Sequence, residues 1–506
     1  ISSFDIADQG DDKEIYRHNM RINGNFAKDD YSSIIAMCKA FSLTGQELED
    51  AVAETIDVDK WMRQFALLSL LGIGDTYTQG NPHNLNMFVR PSDGLVEPMP
   101  WDWDFMFNRS TSSGLWGSRN FSKIPARPIY TRLFHGHLHD LINTTYNTAY
   151  MNRWLSHYGA LMGESYTGRA SYIQQRSSFV LGRLPAEVPF RIGTNNGGDF
   201  TVDGPSVVLE GDGWINVREV RIAGATASLP VRWLDQRTWE VDVPVRPGEN
   251  MIMLTAYDFQ GEEIGSDTIT VTNTSAIAPA DASNLVISEI MYNPPGGGAH
   301  EYLELLNISD SAAVDLSGVR FVEGIEFAFP GGGTIAPGAR ILLVRDPIAF
   351  ASEYGAALPV AGAFANGTQL GNGGESIALV DASGTDIRRF EYGDEAPWPT
   401  SPDGDGFSLV LRAPFSNPDH GIASNWRSSA LPGGTPLGDD VVTFTGDPDA
   451  DTDLDGASDL LEHALGSAAD QPGSRPQLEL TAGSDGEGEY LVLSFVARTA
   501  ADDVLF

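Results

Sequence analysis

The spacing of apolar residues changes from a helical to a strand-like period near residue 188. Before that point, Thr44-Gly-Gln-Glu47 has the form of a capping box, in which Glu47 reaches back to the start of a helix. Between 58 and 71 every third or fourth residue is large and apolar, which predicts a helix that Gly72 ends. Aromatic residues at similar spacing over 128–183 predict two or three more helices.

Alternating, β-branched segments separated by Gly, Pro and Asp follow from about 199 to 273. Short strands at that spacing predict an immunoglobulin-like sandwich over 188–273. The Ala-, Pro- and Ser-rich stretch 274–283 is predicted to be a linker. A second run of strands over 284–438 predicts another sandwich, and we expect 471–506 to begin a further β module.

The segment 284–438 resembles a lamin-tail domain, an immunoglobulin-like sandwich of many secreted bacterial proteins. The similarity rests on three motifs: Ile-Ser-Glu-Ile-Met-Tyr-Asn-Pro at 287–294, Glu-Tyr-Leu-Glu-Leu at 301–305, and Ser-Pro-Asp-Gly-Asp-Gly-Phe-Ser-Leu at 401–409. The resemblance implies a compact all-β module and a location outside the cell.

The charge balance limits the partners of the chain. There are 32 Lys and Arg against 69 Asp and Glu, a formal net charge of −37. This excess argues against nucleic acid or an anionic membrane as a partner, because both bind to basic surfaces. Cys38 is the single cysteine, which excludes an internal disulfide and a cysteine-based zinc site. The longest apolar run, 65–73, is too short for a transmembrane segment, which takes roughly 20 residues.

Two carboxylates in an aromatic segment are the first candidate for chemistry. If 99–107 is a strand, its aromatic residues share one face while Asp102 and Asp104 share the other. Their Cα atoms would lie roughly 6.6 Å apart, so both carboxylates could bind one cation. Asp75 and Asn84 precede them in predicted loops, and this order of parts is also that of kinase active sites. Asp and Asn are common in turns and helix caps too, so the spacing alone leaves a structural role open.

Residues 31–185 resemble the C-terminal part of the CotH-type kinases, the spore-coat protein H family of atypical protein kinases. The similarity rests on Asp59-Lys-Trp-Met-Arg-Gln-Phe-Ala-Leu-Leu-Ser-Leu-Leu, Gly74-Asp75, His83-Asn84 and Pro100-Trp-Asp-Trp-Asp. It implies phosphoryl transfer from ATP to protein Ser or Thr with Mg²⁺ or Mn²⁺. By the same resemblance, Asp75 and Asn84 match the catalytic-loop Asp and Asn, and Asp102 and Asp104 match the metal-binding carboxylates.

The nucleotide-clamping part of a kinase is missing from the pattern. A kinase needs a basic residue in an N-terminal lobe to hold the phosphates. Neither a Gly-rich phosphate loop nor a strand-borne Lys precedes residue 31, and Lys13 and Lys28 have the polar surroundings of surface residues. The chain starts in mid-pattern at Ile1, so we expect it to be a piece of a longer protein whose upstream part holds this lobe.

The strongest motif lies in the Asp-rich segment 445–470. The run from Asp451 to Glu462 matches an EF-hand calcium loop at positions 1, 3, 5, 6, 9 and 12, whereas a start at Asp449 places Leu454 at the glycine position and fails. The predicted Ca²⁺ ligands are Asp451, Asp453, Asp455, Ala457, Asp459 and Glu462. The loop resembles the half-hands of dockerin-like extracellular modules, and the alternative is a solvated acidic linker.

Two further residue sets have spacings that could suit a binding site. Three alternating histidines are predicted to lie on a solvated helix face in preference to a metal site, and three tryptophans are predicted to pack in a sandwich core in preference to stacking on carbohydrate. The histidines are His135, His137 and His139, and the tryptophans are Trp214, Trp233 and Trp239.

These patterns predict an extracellular or cell-envelope bacterial protein of several domains. A mainly helical (α+β) kinase-like portion over 1–187 precedes two all-β immunoglobulin-like sandwiches and a short calcium-loop tail. One compatible function is an ATP-dependent protein kinase that the β modules anchor, with a protein or a cell-surface component as its partner. The other is a non-enzymatic surface or adhesion protein with an inactive kinase-like part.

Overall fold

The computed structural model describes residues 5–24, 26–77, 81, 84–99, 101–117, 120–225, 227–441, 443–485 and 488–498. His83 and Pro100 of the kinase-like motifs lie outside the described residues, as does the end of the predicted last module. The chain divides into two compact units. The first comprises Ile1–Phe200, Val207–Val243 and Asn250–Val271, and the second comprises Thr201–Ser206, Pro244–Glu249 and Thr272–Phe506.

The N-terminal part of the first unit is helical, as predicted. Its elements are α1 Lys13–Asn19, α2 Ser32–Ser42, α3 Gly45–Thr55, α4 Val58–Leu71, β1 Asn86–Val89, β2 Val96–Met99, α5 Pro128–Thr144, α6 Thr148–Met162 and α7 Gly168–Leu181. Strands β1 and β2 form an antiparallel hairpin. Thr44 is the N-cap residue of α3, but its side chain makes no capping hydrogen bond, so the predicted capping box is wrong.

Helix α4 is the centre of the helical core. Its start is fixed by Asp57, whose side chain accepts from the Lys60 amide at 3.1 Å. Trp61 and Phe65 are fully buried on its inner face, and the Trp61 indole N–H donates to the Val96 carbonyl at 2.8 Å. The predicted helix over 58–71 is therefore confirmed, and strand β2 packs against its first turns.

The predicted strand over 99–107 is wrong. Strand β2 ends at Met99, and Asp102 adopts a left-handed φ of 54°, which breaks the two-residue alternation of a strand. A turn follows, in which the Met106 amide donates to the Trp103 carbonyl at 3.2 Å. Because the segment turns back toward α4, Trp101 is left 58% exposed, and the predicted aromatic face does not form.

Two four-stranded sheets follow the helices. Their strands are β3 Arg191–Ile192, β4 Phe200–Val202, β5 Ser206–Asp212, β6 Glu219–Ile222, β7 Arg232–Trp233, β8 Thr238–Pro244, β9 Gly248–Tyr257 and β10 Glu263–Asn273. The sheet orders are β3-β5-β8-β7 and β4-β10-β9-β6. Alternate residues of β8 are buried, and Trp239 among them stacks on Phe190 with ring centroids 5.3 Å apart.

The second unit is mainly a larger β structure. Its elements are β11 Ile277–Pro279, β12 Leu285–Met291, β13 Tyr302–Asn307, β14 Ala313–Asp315, β15 Arg320–Glu323, β16 Phe327–Ala328, β17 Thr334–Ile335, β18 Arg340–Val344, α8 Pro347–Tyr354, β19 Val360–Ala363, β20 Glu375–Val380, β21 Asp386–Tyr392, β22 Leu409–Leu411 and β23 Trp426–Ser428. They form three sheets, ordered β11-β14-β17, β19-β18-β13-β12-β22-β23 and β16-β15-β20-β21.

The predicted linker 274–283 is not a free segment. Its residues Ile277–Pro279 form β11, which pairs in parallel with β14. Ala278 and Ala280 are buried, because small side chains fit where this strand joins the sheet. The β structure therefore begins inside the stretch that composition assigned to a linker.

The tail consists of helix α9 Asp459–Leu465 and the antiparallel hairpin of β24 Leu478–Asp485 with β25 Gly488–Phe495. The helix begins within the calcium-loop motif, with Ser458 as N-cap. Among all the helices that the structure describes, none has the length and apolar character needed to cross a membrane.

Two buried carboxylates face each other in the six-stranded sheet. Glu289 on β12 and Glu304 on β13 are register partners and are 2% and 1% exposed. The Tyr302 hydroxyl donates to Glu289 at 2.6 Å, and the Ser288 hydroxyl donates to Glu304 at 2.6 Å. Arg340 Nε lies 3.1 Å from Glu304 Oε1. Burial, with added repulsion from Glu289, nevertheless raises the pKa of Glu304 to about 8.

This pKa makes the stability of the second unit depend on pH. A carboxyl whose folded pKa of about 8 exceeds its usual 4.5 stabilises the fold fully below pH 4.5, and that contribution is lost as pH rises through 8. We therefore expect calorimetric unfolding midpoints of the second unit to fall between pH 5 and 8.5. Glu304→Gln should flatten this profile, and the exposed control Glu353→Gln should retain it. Identical profiles in both variants would contradict the assignment.

Candidate functional site

The C-terminal end of α4 determines where the chain turns toward the first candidate residue. The last carbonyls of a helix lack intrahelical partners. Gly72 ends the helix at a φ of 60°, and its amide donates to the Leu68 carbonyl at 3.1 Å. The amides of Phe107 and Arg109 donate to the carbonyls of Leu71 and Gly72 at 2.7 and 3.1 Å. The turn that replaces the predicted strand thus satisfies this helix end.

Arg176 on α7 satisfies another of these carbonyls. Its guanidinium is 1% exposed and donates to the Ser69 carbonyl from Nε at 3.1 Å and from Nη2 at 2.9 Å. Nη1 donates to the carbonyls of Thr111 and Ser113 at 3.1 and 2.6 Å. Burial lowers the pKa of Arg176 from its usual range. One buried cation therefore joins α7, the end of α4 and the segment 111–113.

Two tyrosines complete this helix end. The Tyr146 hydroxyl donates to the Leu70 carbonyl at 2.5 Å. The Tyr172 ring lies over Gly72, where an added Cβ would come within 1.9 Å of its hydroxyl oxygen. Gly72 is required here for two reasons, its positive φ and this close approach.

Asp75 and Asn84 lie together beyond this helix end. The Asn84 side-chain amide donates to Asp75 Oδ2 at 2.9 Å and to the Asp75 carbonyl at 3.0 Å. Asp75 Oδ1 is buried and has no hydrogen-bond partner in the described part of the chain. The Asn84 amide thus fixes the Asp75 carboxylate through Oδ2. Oδ1 is left to accept a hydrogen bond.

Asp102 and Asp104 do not share the face of a strand, because the segment around them is a turn. Both are exposed in the turn after β2. Within the described ranges, three metal-ligating side chains come together at Asp451, Asp453 and Asp455, and not around this turn. The metal role of Asp102 and Asp104 therefore stays a prediction.

Lys13 and Lys28 are surface residues, as predicted. Lys13 pairs with Asp29 at 2.8 Å and its side chain is 48% exposed. Lys28 pairs with Asp30 at 3.8 Å and its side chain is 70% exposed. Both amines therefore have acidic neighbours of their own.

The predicted solvated face of α5 is wrong. His137 is 3% exposed, and its Nε2 lies 2.8 Å from Asp59 Oδ1 in the first turn of α4. Arg218, from the β part of the same unit, donates to that oxygen at 2.9 Å. His139 packs edge-on against Trp214 with ring centroids 4.7 Å apart. This face of α5 packs against the β part of the first unit.

Arg132 is another buried contact on this face of α5. Its guanidinium carbon lies 3.2 Å from the centre of the Trp233 ring, and Nη2 donates to the Val217 carbonyl at 2.5 Å. Burial lowers its pKa to about 9. Sequence reasoning assigned Trp233 to a sandwich core and overlooked Arg132, although an Arg one turn before the histidines was the available signal.

The acidic loop of the tail brings together the carboxylates that the EF-hand register selects. Oxygens of Asp451, Asp453 and Asp455 lie within 4.8 Å of one another. Gly456 adopts a φ of 96°, the sharp turn for which a glycine is needed. Its amide donates to Asp451 Oδ2 at 3.0 Å. Asp459 instead accepts from the amide and hydroxyl of Thr452 at 2.8 and 2.6 Å.

Glu462 supplies the buried carboxylate of this loop. It is 0% exposed, and its Oε1 accepts from the Ser467 hydroxyl at 3.1 Å. Oε2, like Asp453 Oδ2, is buried without a hydrogen-bond partner among the described residues. Burial raises the pKa of Glu462, and the nearby charges of Asp453 and Asp455 add to the rise. These oxygens fit a divalent cation, because a carboxylate so placed needs a positive partner.

Comparison with known proteins finds two families in this chain. Residues 2–176 match the family model of the CotH kinase protein, and residues 278–394 match the model of the Lamin Tail Domain. The predicted order, a CotH kinase-like region followed by a lamin-tail domain, is therefore confirmed. Among curated proteins there is no match.

One solved structure with partial similarity is the Bacteroides ovatus mixed-linkage glucan utilization locus SGBP-B in complex with a mixed-linkage heptasaccharide. It is 16% identical, with a TM-score of 0.13, and the match covers 37% of this chain and 38% of that one. At that score the likeness supports no argument about fold or function.

The role of Arg176 can be tested by substitution. Arg176→Met would remove the donor of the buried Ser69 carbonyl, which costs about 1–3 kcal/mol, and of two partly buried carbonyls, so we expect a marked fall in the helical unfolding midpoint followed by circular dichroism. The exposed Arg183→Met, on the turn after α7, is the matched control and should leave the midpoint nearly unchanged. Equal midpoints for the two variants would show that Arg176 does not stabilise this helix end.

Proposed function

We propose that the helical part of the first unit is the substrate-positioning half of an ATP-dependent protein Ser/Thr kinase. The observation that carries the proposal is the Asp75–Asn84 pair, in which one carboxylate oxygen is held and the other is unpartnered. The match of residues 2–176 to the CotH kinase model supports it.

In this proposal Asp75 orients the attacking hydroxyl. Its Oδ1 would accept the hydrogen bond, and then the proton, of a substrate Ser or Thr. Asn84 fixes the carboxylate through Oδ2, and the satisfied end of α4 fixes the backbone that precedes it. ATP with Mg²⁺ or Mn²⁺ would supply the phosphoryl group and neutralise its charge.

In this proposal Asp102 and Asp104 are exposed carboxylates that would bind the metal ion of a bound nucleotide. The exposure of both residues in a turn favours a second candidate, a non-enzymatic surface protein in which the kinase-like part is structural. Under either proposal the protein acts outside the cell or in the envelope, with a protein or a cell-surface component as partner. The ground for that location is the resemblance of residues 284–438 to the lamin-tail domains of secreted bacterial proteins.

The kinase proposal predicts distinct effects of three substitutions. Asp75→Asn should lower autophosphorylation by about 10²- to 10⁴-fold, the usual contribution of a general base, with little change in nucleotide affinity. Asp102→Asn or Asp104→Asn should abolish transfer by removing a metal ligand. The assay is radiolabelled phosphate incorporation, with Mg²⁺ or Mn²⁺, in the longest protein that carries this chain.

Asp93→Asn is the matched control, because Asp93 lies in a nearby exposed turn and pairs with Arg90 at 2.8 Å. Activity equal to this control in Asp75→Asn would contradict the positioning role. Full activity in both Asp102→Asn and Asp104→Asn would remove the metal assignment alone.

We further propose that the tail loop binds one Ca²⁺ through Asp451, Asp453, Asp455, Asp459, Glu462 and the Ala457 carbonyl. The buried, unpartnered oxygens of Glu462 and Asp453 support the proposal, because a cluster of carboxylates alone would also suit a solvated acidic linker. A bidentate Glu at position 12 suits Ca²⁺ better than the smaller, strictly octahedral Mg²⁺.

Calorimetric titration tests the calcium loop. We expect one site with a Kd of about 10⁻⁴–10⁻³ M, the range of extracellular modules, and a weaker response to Mg²⁺. Glu462→Gln should remove most of the affinity, and the exposed control Glu479→Gln should leave it unchanged. Calcium binding that survives Glu462→Gln would place the ion elsewhere.

A further inference from the structure

The chain returns to the acidic loop at Arg475. Arg475 Nε lies 3.2 Å from Asp455 Oδ2, and the Asp455 side chain is 3% exposed whereas that of Arg475 is 60% exposed. The guanidinium also lies against Gly456, where an added Cβ would be 2.9 Å from Nη2. A cationic side chain from downstream therefore covers the central positions of the proposed ligand set.

Arg475 pairs with the Asp455 oxygen that accepts no backbone hydrogen bond from the residues described. Asp455 Oδ1 already accepts from the Ala457 amide at 2.9 Å. Oδ2 is the remaining ligand atom, and it is the one paired with Arg475. Because three carboxylates lie within 4.8 Å here, positive charge at this oxygen relieves their repulsion.

The segment that carries Arg475 is also tied to Glu462. The Ser467 hydroxyl donates to Glu462 Oε1 at 3.1 Å, and the Ser467 amide donates to the Glu462 carbonyl at 3.0 Å. The Ala468 amide donates to the Ser474 hydroxyl at 2.9 Å, which closes the turn before Arg475. Both ends of 467–475 thus contact proposed calcium ligands.

We propose that Arg475 is a tethered cation that competes with Ca²⁺ for the tail loop, so that calcium loading releases residues 467–475. The inference rests on the proposed calcium loop. A bidentate Glu462 uses both oxygens and gives up the Ser467 hydroxyl, while an ion at Asp455 Oδ2 displaces the guanidinium. The released segment leads directly into β24, so the loop and the hairpin are coupled.

Calcium titration of the full chain and three variants tests this competition. Arg475→Ala should tighten calcium binding roughly two- to five-fold, the size expected when a partly exposed ion pair no longer competes. Arg498→Ala is the matched control, because its guanidinium lies 3.5 Å from His463 Nδ1 and not on the loop carboxylates. Glu462→Gln removes a proposed ligand, so the calcium-binding heat that it loses is the heat of binding to this loop.

Hydrogen exchange gives a second readout on the same proteins. In the wild type, calcium should slow exchange in α9 and speed it at 467–475. In Arg475→Ala the segment should exchange faster before calcium is added.

The competition would be overturned if Arg475→Ala bound calcium no more tightly than the wild type while Glu462→Gln bound none. The calcium loop itself would then stand. Unchanged calcium binding in Glu462→Gln would overturn the loop itself, and the competition with it.

Discussion

The requirement that a helix end have its carbonyls paired organises the first unit. Helix α4 ends inside the core, where water cannot satisfy these groups. Their partners come from three separate segments: the turn after β2, the Tyr146 hydroxyl and the Arg176 guanidinium. The same end delivers the chain to Asp75. The geometry of the candidate site is therefore a by-product of satisfying one helix terminus.

The sequence predicted what local periodicity and spacing determine. The helix over 58–71 has a full apolar stripe and a glycine stop, and the acidic loop admits one register, so both could be placed without tertiary information. The strand over 99–107 failed because the segment turns and its Phe107 amide pairs with the end of α4 in place of a sheet partner. Alternation of aromatic and acidic residues cannot reveal such a distant acceptor. Likewise, the α5 histidines resemble a solvated face until the β sheets that cover them are known.

A strongly acidic chain still has to place some carboxylates in its interior, and the second unit shows two solutions. Glu289 and Glu304 accept hydroxyl and amide donors and retain protons more strongly than exposed carboxyls. Among the described residues, no donor reaches Oε2 of Glu462. The carboxylates of the six-stranded sheet therefore have donors from the same unit, whereas the tail loop leaves Glu462 Oε2 available to the Ca²⁺ that we propose.

The two ends of α4 have different neighbours, and this has a mechanical consequence. Its first turn carries Asp59, which His137 and Arg218 hold against the β strands, and its last turn leads to Asp75. An α-helix of 14 residues is a stiff rod about 21 Å long. A load applied to those strands would thus pass along the axis of α4 and reach the Asp75 loop, so tension on the β part of the first unit would bear directly on the geometry of that carboxylate.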